Sequence, residues 1–288
     1  MRLFLFGAGY SGKAIARAFA DGARWIVGTT RSEDNFSDLE AAHIEPYVFT
    51  GAADVAMLPL EYMTHMAVTI PPDRDGCPAL AAAGKLFEEH MPALSWVGYL
   101  STVGVYGDHG GAWIDETAEC RPTADRSVRR LKAEEQWLAF GERTGIPVSI
   151  MRLPGIYGPG RNALVTVAEG KARRLIKPGQ VFNRVHVDDI GRAALFLARN
   201  RAGGIFNVTD NEPAPPQDVI THACALMGME PPPEQDFETA DLSPMARSFY
   251  GENKRVSNGK LKAMGFEPAY PDYRAALDAM WADGSWRG

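Results

Sequence analysis

MRLFLFGAGYSGKAIARAFADG, residues 1–22, runs an apolar stretch directly into a G-x-G-x-x-G pattern and then into an alanine-rich segment. LFLF (3–6) has the length and unbroken apolarity of a strand buried on both faces. KAIARAFADG (13–22) has the apolar spacing of a helix closed by Gly22. Between them stand Gly7, Gly9 and Gly12. Glycines fit here for three reasons: the chain turns sharply, a pyrophosphate needs close approach to the backbone, and the helix must pack near the strand. The helix start, with Tyr10 and Ser11, then presents N–H groups and the positive end of a dipole. The pattern predicts a dinucleotide grip at Gly7, Gly9, Tyr10, Ser11 and Gly12, the alternative being a tight turn that binds nothing.

The same alternation continues outward. WIVGTT (25–30), YVF (47–49), HMAVTI (65–70), WVGYLS (96–101) and PVSIMRL (147–153) read as strands. ALAAAGKLFEEH (79–90) and residues 125–143 read as helices. Continuous apolar strands alternating with helices indicate an α/β fold with a doubly wound parallel sheet. Pro-rich NEPAPPQ (211–217) and MEPPPEQ (229–235) set off a more irregular C-terminal part.

Composition narrows the function classes. The chain has 288 residues, 45% hydrophobic and 23% charged, as ordinary globular proteins do. A net charge of −6 argues against a nucleic-acid surface. The three cysteines, Cys77, Cys120 and Cys224, form no C-x-x-C pair, which fits a reducing compartment without a zinc site. No apolar run approaches the roughly 20 residues of a membrane span. The reading is therefore a cytoplasmic protein without a membrane, nucleic-acid or metal partner. Its expected partner is a small molecule, with a homodimer as a further candidate.

The second strand ends in GTTRSED (28–34). NAD-preferring sites usually place a carboxylate here for the ribose 2′-hydroxyl. This chain has Thr30, Arg31 and Ser32, and a cation with a hydroxyl suits a 2′-phosphate. NADP(H) is the expected cofactor, with NAD(H) the second candidate and a solvated Arg31 the bland alternative. Ile70 and Pro71, in the TIPP turn after the fourth strand, are expected to line the same cofactor.

LSTVGVYGD (100–108), RLPGIYGPGRN (152–162), RVHVDDIGRAALFLA (184–198) and KRVSNGKLKAMGF (254–266) follow in order after the glycine pattern. Together they resemble an extended short-chain dehydrogenase/reductase of the NAD-dependent epimerase/dehydratase family. That resemblance spans nearly the whole chain. It implies a Rossmann-type domain over 1–155 and 184–210 and a small discontinuous substrate lobe over 156–183 and 211–288. The family uses a Ser or Thr after the fifth strand and a Tyr-x-x-x-Lys pair one helix later. Thr102, four residues before Tyr106, matches the hydroxyl position. Matching the family's Glu to Glu134 puts Arg130 at the lysine and Arg126 at the tyrosine. Shifting to use Lys132 puts Val128 at the tyrosine instead. The resemblance thus describes an atypical member whose usual acid/base is gone.

DRSVRRLKAEE (125–135) then has three readings: an exposed face with Arg130–Glu134 pairs, an anion grip through Arg126 and Arg130, or a catalytic helix whose acid/base has moved. Tyr106 is the leading relocated donor, with Tyr157, Asp108 and His109 behind it. His186 is expected to pack, and Asp188 to cap a helix; Asp188 with Asp189 lacks a third metal ligand. By family position, Pro154 would touch cofactor. Tyr157, Arg161, Asn162, Arg184 and Arg255 would touch substrate, while Gly155 stands where sugar-nucleotide enzymes often have Asn. The resemblance implies an oxidoreductase or epimerase acting on a small anionic or sugar-like substrate. The rival from another class is a non-catalytic NADP(H) redox sensor.

Overall fold

The computed structural model describes the backbone of residues 1–288 and all side chains except those of 244–246. The chain divides into two compact units. The first comprises Met1–Val105, Pro122–Arg152 and Val187–Phe206, and the second Tyr106–Arg121, Leu153–His186 and Asn207–Gly288.

The first unit carries strands β1 (Arg2–Phe6), β2 (Trp25–Thr30), β3 (Glu45–Val48), β4 (His65–Val68), β5 (Trp96–Thr102), β6 (Val148–Leu153) and β7 (Gly204–Asn207). Its helices are α1 (Tyr10–Phe19), α2 (Phe36–Ala41), α3 (Pro78–Glu89), α4 (Asp125–Thr144) and α5 (Val187–Arg199). The strands form one sheet in the order β7-β6-β5-β4-β1-β2-β3. The pairs β1/β2, β1/β4, β2/β3 and β4/β5 run parallel. This is the Rossmann-type winding, and its order reverses at β1. The crevice beyond the carboxyl ends of β1 and β4 is therefore where such a sheet receives a ligand.

Phe4, Phe6, Val68, Phe87, Trp137 and Phe140 share one buried cluster. Small residues let α1 and α5 approach closely: a Cβ on Gly191 would come within 2.3 Å of the Ala14 carbonyl oxygen. Helix α1 starts at Tyr10, three residues earlier than its alanine-rich pattern suggests, because Gly12 lies inside its first turn. It stops at Phe19, and the N–H of Ala23 closes back on the Phe19 carbonyl at 2.8 Å.

The second unit is built from short pieces. Strands 184–186 and 155–157, 234–236 and 174–176, and 255–256 and 113–114 pair in parallel twos. Its main cluster gathers Leu164, Ala223, Tyr273, Leu277 and Trp286. The Pro-rich segment at 211–217 is less irregular than expected, since Pro216 opens the helix Pro216–Leu226 with its fixed φ. The loop 106–121 is tied to the stretch 252–257: the buried Lys254 donates to Gly107 O at 2.6 Å, and Asn253 N donates to Asp108 at 2.7 Å. Among the described residues no helix is long and apolar enough to cross a membrane.

Candidate functional site

At the switch point the glycines have three different surroundings. Gly7 has φ +92°, and a Cβ there would strike Thr69 Oγ1 at 2.6 Å and Ile70 at 2.8 Å. Its N–H donates to Thr29 Oγ1 at 2.9 Å, while Thr69 Oγ1 donates to its carbonyl at 2.6 Å. The turn is thus pinned to both neighbouring strands. Gly12 is closed as well, since its Cβ would meet Gly7 O at 2.5 Å. Gly9 differs: nothing lies within 4 Å of where its Cβ would be. Two glycines are required by the protein's own packing, and the third leaves open space before the start of α1. Tyr10, the first helical residue, is 36% exposed, and Ser11 is half-buried. These are the features a pyrophosphate cradle needs, so the residues present fit a dinucleotide.

Past the end of β2, Arg31 is exposed and has no ion-pair or hydrogen-bond partner among the described residues. Thr30 Oγ1 accepts from Asn35 at 3.1 Å. The Ser32 hydroxyl is engaged locally: it donates to Asp34 at 2.7 Å and accepts from the Asp34 N–H. It caps the turn 33–35, and its proton is already committed to that carboxylate. Beyond β4, Ile70 is half-buried against Gly7 and Pro71 is exposed.

At the end of β5 the structure redraws the expected helix face. Glu134 is 1% exposed and forms a buried ion pair with Arg152, Nη2 to Oε2 at 2.7 Å. The Ser101 hydroxyl bonds the same carboxylate. The expected surface pair of Arg130 with Glu134 is therefore wrong, because Glu134 instead locks α4 to β5 and β6. Arg130 lies half-buried, donating to Leu100 O at 2.5 Å and to Tyr99 OH at 3.3 Å, with its guanidinium 5.7 Å from the Tyr99 ring centre. Burial pushes that phenol up to about 12. No carboxylate pairs with Arg130 among the described residues. Arg126 is exposed, unlike the buried Glu134 two turns on. The residue turned inward beside it is Ser127, 3% exposed. Thr102 is half-buried, and its Oγ1 accepts the Gly104 N–H at 3.1 Å.

The second unit removes the relocated proton donors. Tyr106 is fully buried, and its hydroxyl donates to Asn207 Oδ1 at 2.8 Å. Asn207 is itself fixed by bonds with Ser257 O and Glu116. Tyr106 is thus a core residue and not the substitute acid. His109 Nε2 faces two carbonyls, Tyr106 O at 3.1 Å and Glu119 O at 3.3 Å, which hold that nitrogen as a donor. The Asn253 N–H, with that of Gly110, keeps the Asp108 carboxyl below its ordinary range. Tyr157 packs with Leu164 and Tyr273, edge-on to the buried His186.

Among the expected substrate contacts, Asn162 is corrected outright. It is buried as a helix N-cap, accepting from Val165 N while donating to Gly158 O and Trp286 O. Arg184 spends one Nη on Phe182 O and Ala214 O, and Arg255 donates to Gly111 O. Arg161 is exposed, and Pro154 half-buried. Asp188 and Asp189 take Arg17 and Arg192.

The family model for the NAD-dependent epimerase/dehydratase family matches residues 91–209, which include the end of β5, α4 and the Glu134–Arg152 lock. Over those residues the chain carries a match to an NAD-dependent epimerase/dehydratase domain. A functionally unknown conserved protein from Silicibacter pomeroyi DSS is 44% identical, with 99% of each chain covered and a TM-score of 0.91. Protein YeeZ of Escherichia coli (strain K12) is 26% identical over 285 residues, covering 94% of this chain and 97% of YeeZ. The dTDP-glucose 4,6-dehydratase of Bacillus anthracis, solved in complex with NAD, shares the fold at 17% identity and a TM-score of 0.79, covering 99% of this chain and 97% of its own.

Two features escaped the sequence reading. Ser127 is a small hydroxyl among cations, and such a residue carries no sequence signal. Asp210 is buried, its Oδ2 lacks a partner, and burial pushes it up to about 8. Nothing in the surrounding NVTDNEP signals that burial.

Proposed function

We propose that this chain binds NADP(H) and works as an oxidoreductase or epimerase on a small anionic or sugar-like substrate. The open space at Gly9, between two glycines that packing closes, carries the reading. Arg31, exposed and without an acidic partner, supports the preference for a 2′-phosphate. The nicotinamide would supply or accept the hydride. The protein's own groups would hold and orient: Thr102 takes a substrate oxygen, and Arg130 offers a permanent charge. An arginine at this position binds but does not shuttle protons, so this family member dispenses with the phenol–ammonium pair.

Titrating the purified protein separately with NADPH and NADH, by nicotinamide fluorescence, tests the reading. Saturable binding with NADPH favoured tenfold or more is expected, and equal affinities would remove the role given to Arg31. The absence of a Tyr-x-x-x-Lys pair from α4 favours a second reading, a redox sensor. A sensor would distinguish oxidised from reduced cofactor yet turn over neither when offered carbonyl and alcohol substrates.

A further inference from the structure

On α4, Ser127, Arg130 and Glu134 fall three and four residues apart, which places them on one helical face. Glu134 fixes the orientation of that face through Ser101 and Arg152. One turn earlier Arg130 reaches Leu100 O at the end of β5. Another turn earlier is Ser127. A Cβ on Gly104 would lie 2.8 Å from Ser127 Oγ and 3.3 Å from Thr102 Oγ1, so both hydroxyls border the same bare glycine.

The two hydroxyls also have bonding capacity left. Thr102 Oγ1 accepts from Gly104 N, which leaves its proton to donate. Ser127 Oγ makes no hydrogen bond among the described residues. It is not one of the sealed polar atoms without partners, so the little surface that Ser127 retains includes the hydroxyl. A mostly buried hydroxyl without a partner is costly unless something else supplies the bond. Arg130 uses one Nη on neutral acceptors, leaving the rest of a planar fork without an anion.

We propose that Thr102 and Ser127 form a two-hydroxyl clamp on the reacting oxygen of the substrate, and that the remaining N–H groups of Arg130 take a carboxylate of the same molecule. The substrate class is then a small oxo or hydroxy acid, and Ser127 stands in for the absent phenol as a donor to that oxygen. A forked guanidinium matches a carboxylate with two parallel bonds, and residues three apart on a helix are close enough to serve both ends of so small a molecule. The proposal rests on the NADP(H) reading given above.

Oxamate, an unreactive mimic of a 2-oxo acid, is the probe. The full-length protein is loaded with NADPH, and oxamate is titrated by calorimetry and by its effect on nicotinamide fluorescence. Wild type should form the ternary complex. Ser127→Ala should weaken oxamate tenfold or more while NADPH affinity stays within twofold, which also shows that the variant folds. Gly104→Ala should do the same by pushing a methyl group between the hydroxyls. Arg130→Gln should erase the preference for oxamate over its uncharged ethyl ester. NADPH-loaded wild type that ignores oxamate, or a Ser127→Ala variant that binds it as wild type does, overturns the clamp alone. Protein that takes up no NADPH overturns the clamp together with the reading beneath it.

Discussion

The turn after β1 and the N-terminal half of α4 are both parts of the family pattern, but this chain treats them differently. The turn keeps every glycine: packing closes Gly7 and Gly12, while Gly9 borders open space. The helix buries Glu134 against Arg152 and carries Arg130 and Arg126 one and two turns before it. A dinucleotide grip depends on backbone shape, which few residues can provide. A proton-transfer site depends on side-chain chemistry, which can be replaced while the backbone stays in place.

The largest effect should come from removing the anchor. Glu134→Ala leaves the Arg152 guanidinium buried without its counter-charge, and should cost about 3–5 kcal/mol in denaturant unfolding. A cost below 1 kcal/mol would mean that α4 is held by its apolar face alone. Next comes Tyr106→Phe, which strands Asn207 Oδ1 in the interior. It should lower stability by about 1–3 kcal/mol and leave NADPH affinity untouched. Lost turnover in a variant of wild-type stability would restore Tyr106 as the proton donor. Arg31→Ala should weaken NADPH about tenfold, roughly 1.4 kcal/mol, without moving NADH. An equal loss for both cofactors would place Arg31 on the shared diphosphate. The smallest effect belongs to Arg126→Ala: an exposed cation should change stability by less than about 1 kcal/mol and leave oxamate binding intact. If it instead matched Ser127→Ala, the helix would face the substrate with its other side.

How much of this was legible in sequence depends on the kind of feature. The sheet, its winding and the glycine turn were readable because apolar runs and fixed glycine spacing are local signals. Strand ends moved by a residue or two where a turn took over, as at Thr69 and Ile70, which leave β4 to hold Gly7. The site at α4 was less readable. Four cations in seven positions left an exposed face, an anion grip and a displaced catalytic helix all open, and none of these placed Glu134 among the most buried side chains of the chain. Its partners, Ser101 and Arg152, come from two different strands, and no local pattern joins them. Tyr106 erred in the other direction: a tyrosine four residues past Thr102 looks available, but only the tertiary structure shows Asn207 waiting for its hydroxyl. Ser127 was hidden because a small hydroxyl among charges carries no sequence signal.

The most direct test of the glycine turn compares NADPH binding by wild type and Gly9→Ala, alongside their unfolding curves. Gly9 has open space where a side chain would go, so a methyl group there meets no protein atom. Unfolding should be unchanged to within about 0.5 kcal/mol. NADPH affinity should fall tenfold or more, because the methyl group fills the approach of the pyrophosphate. Equal NADPH binding by the two proteins, or none by wild type, would contradict the claim that this turn is a dinucleotide grip.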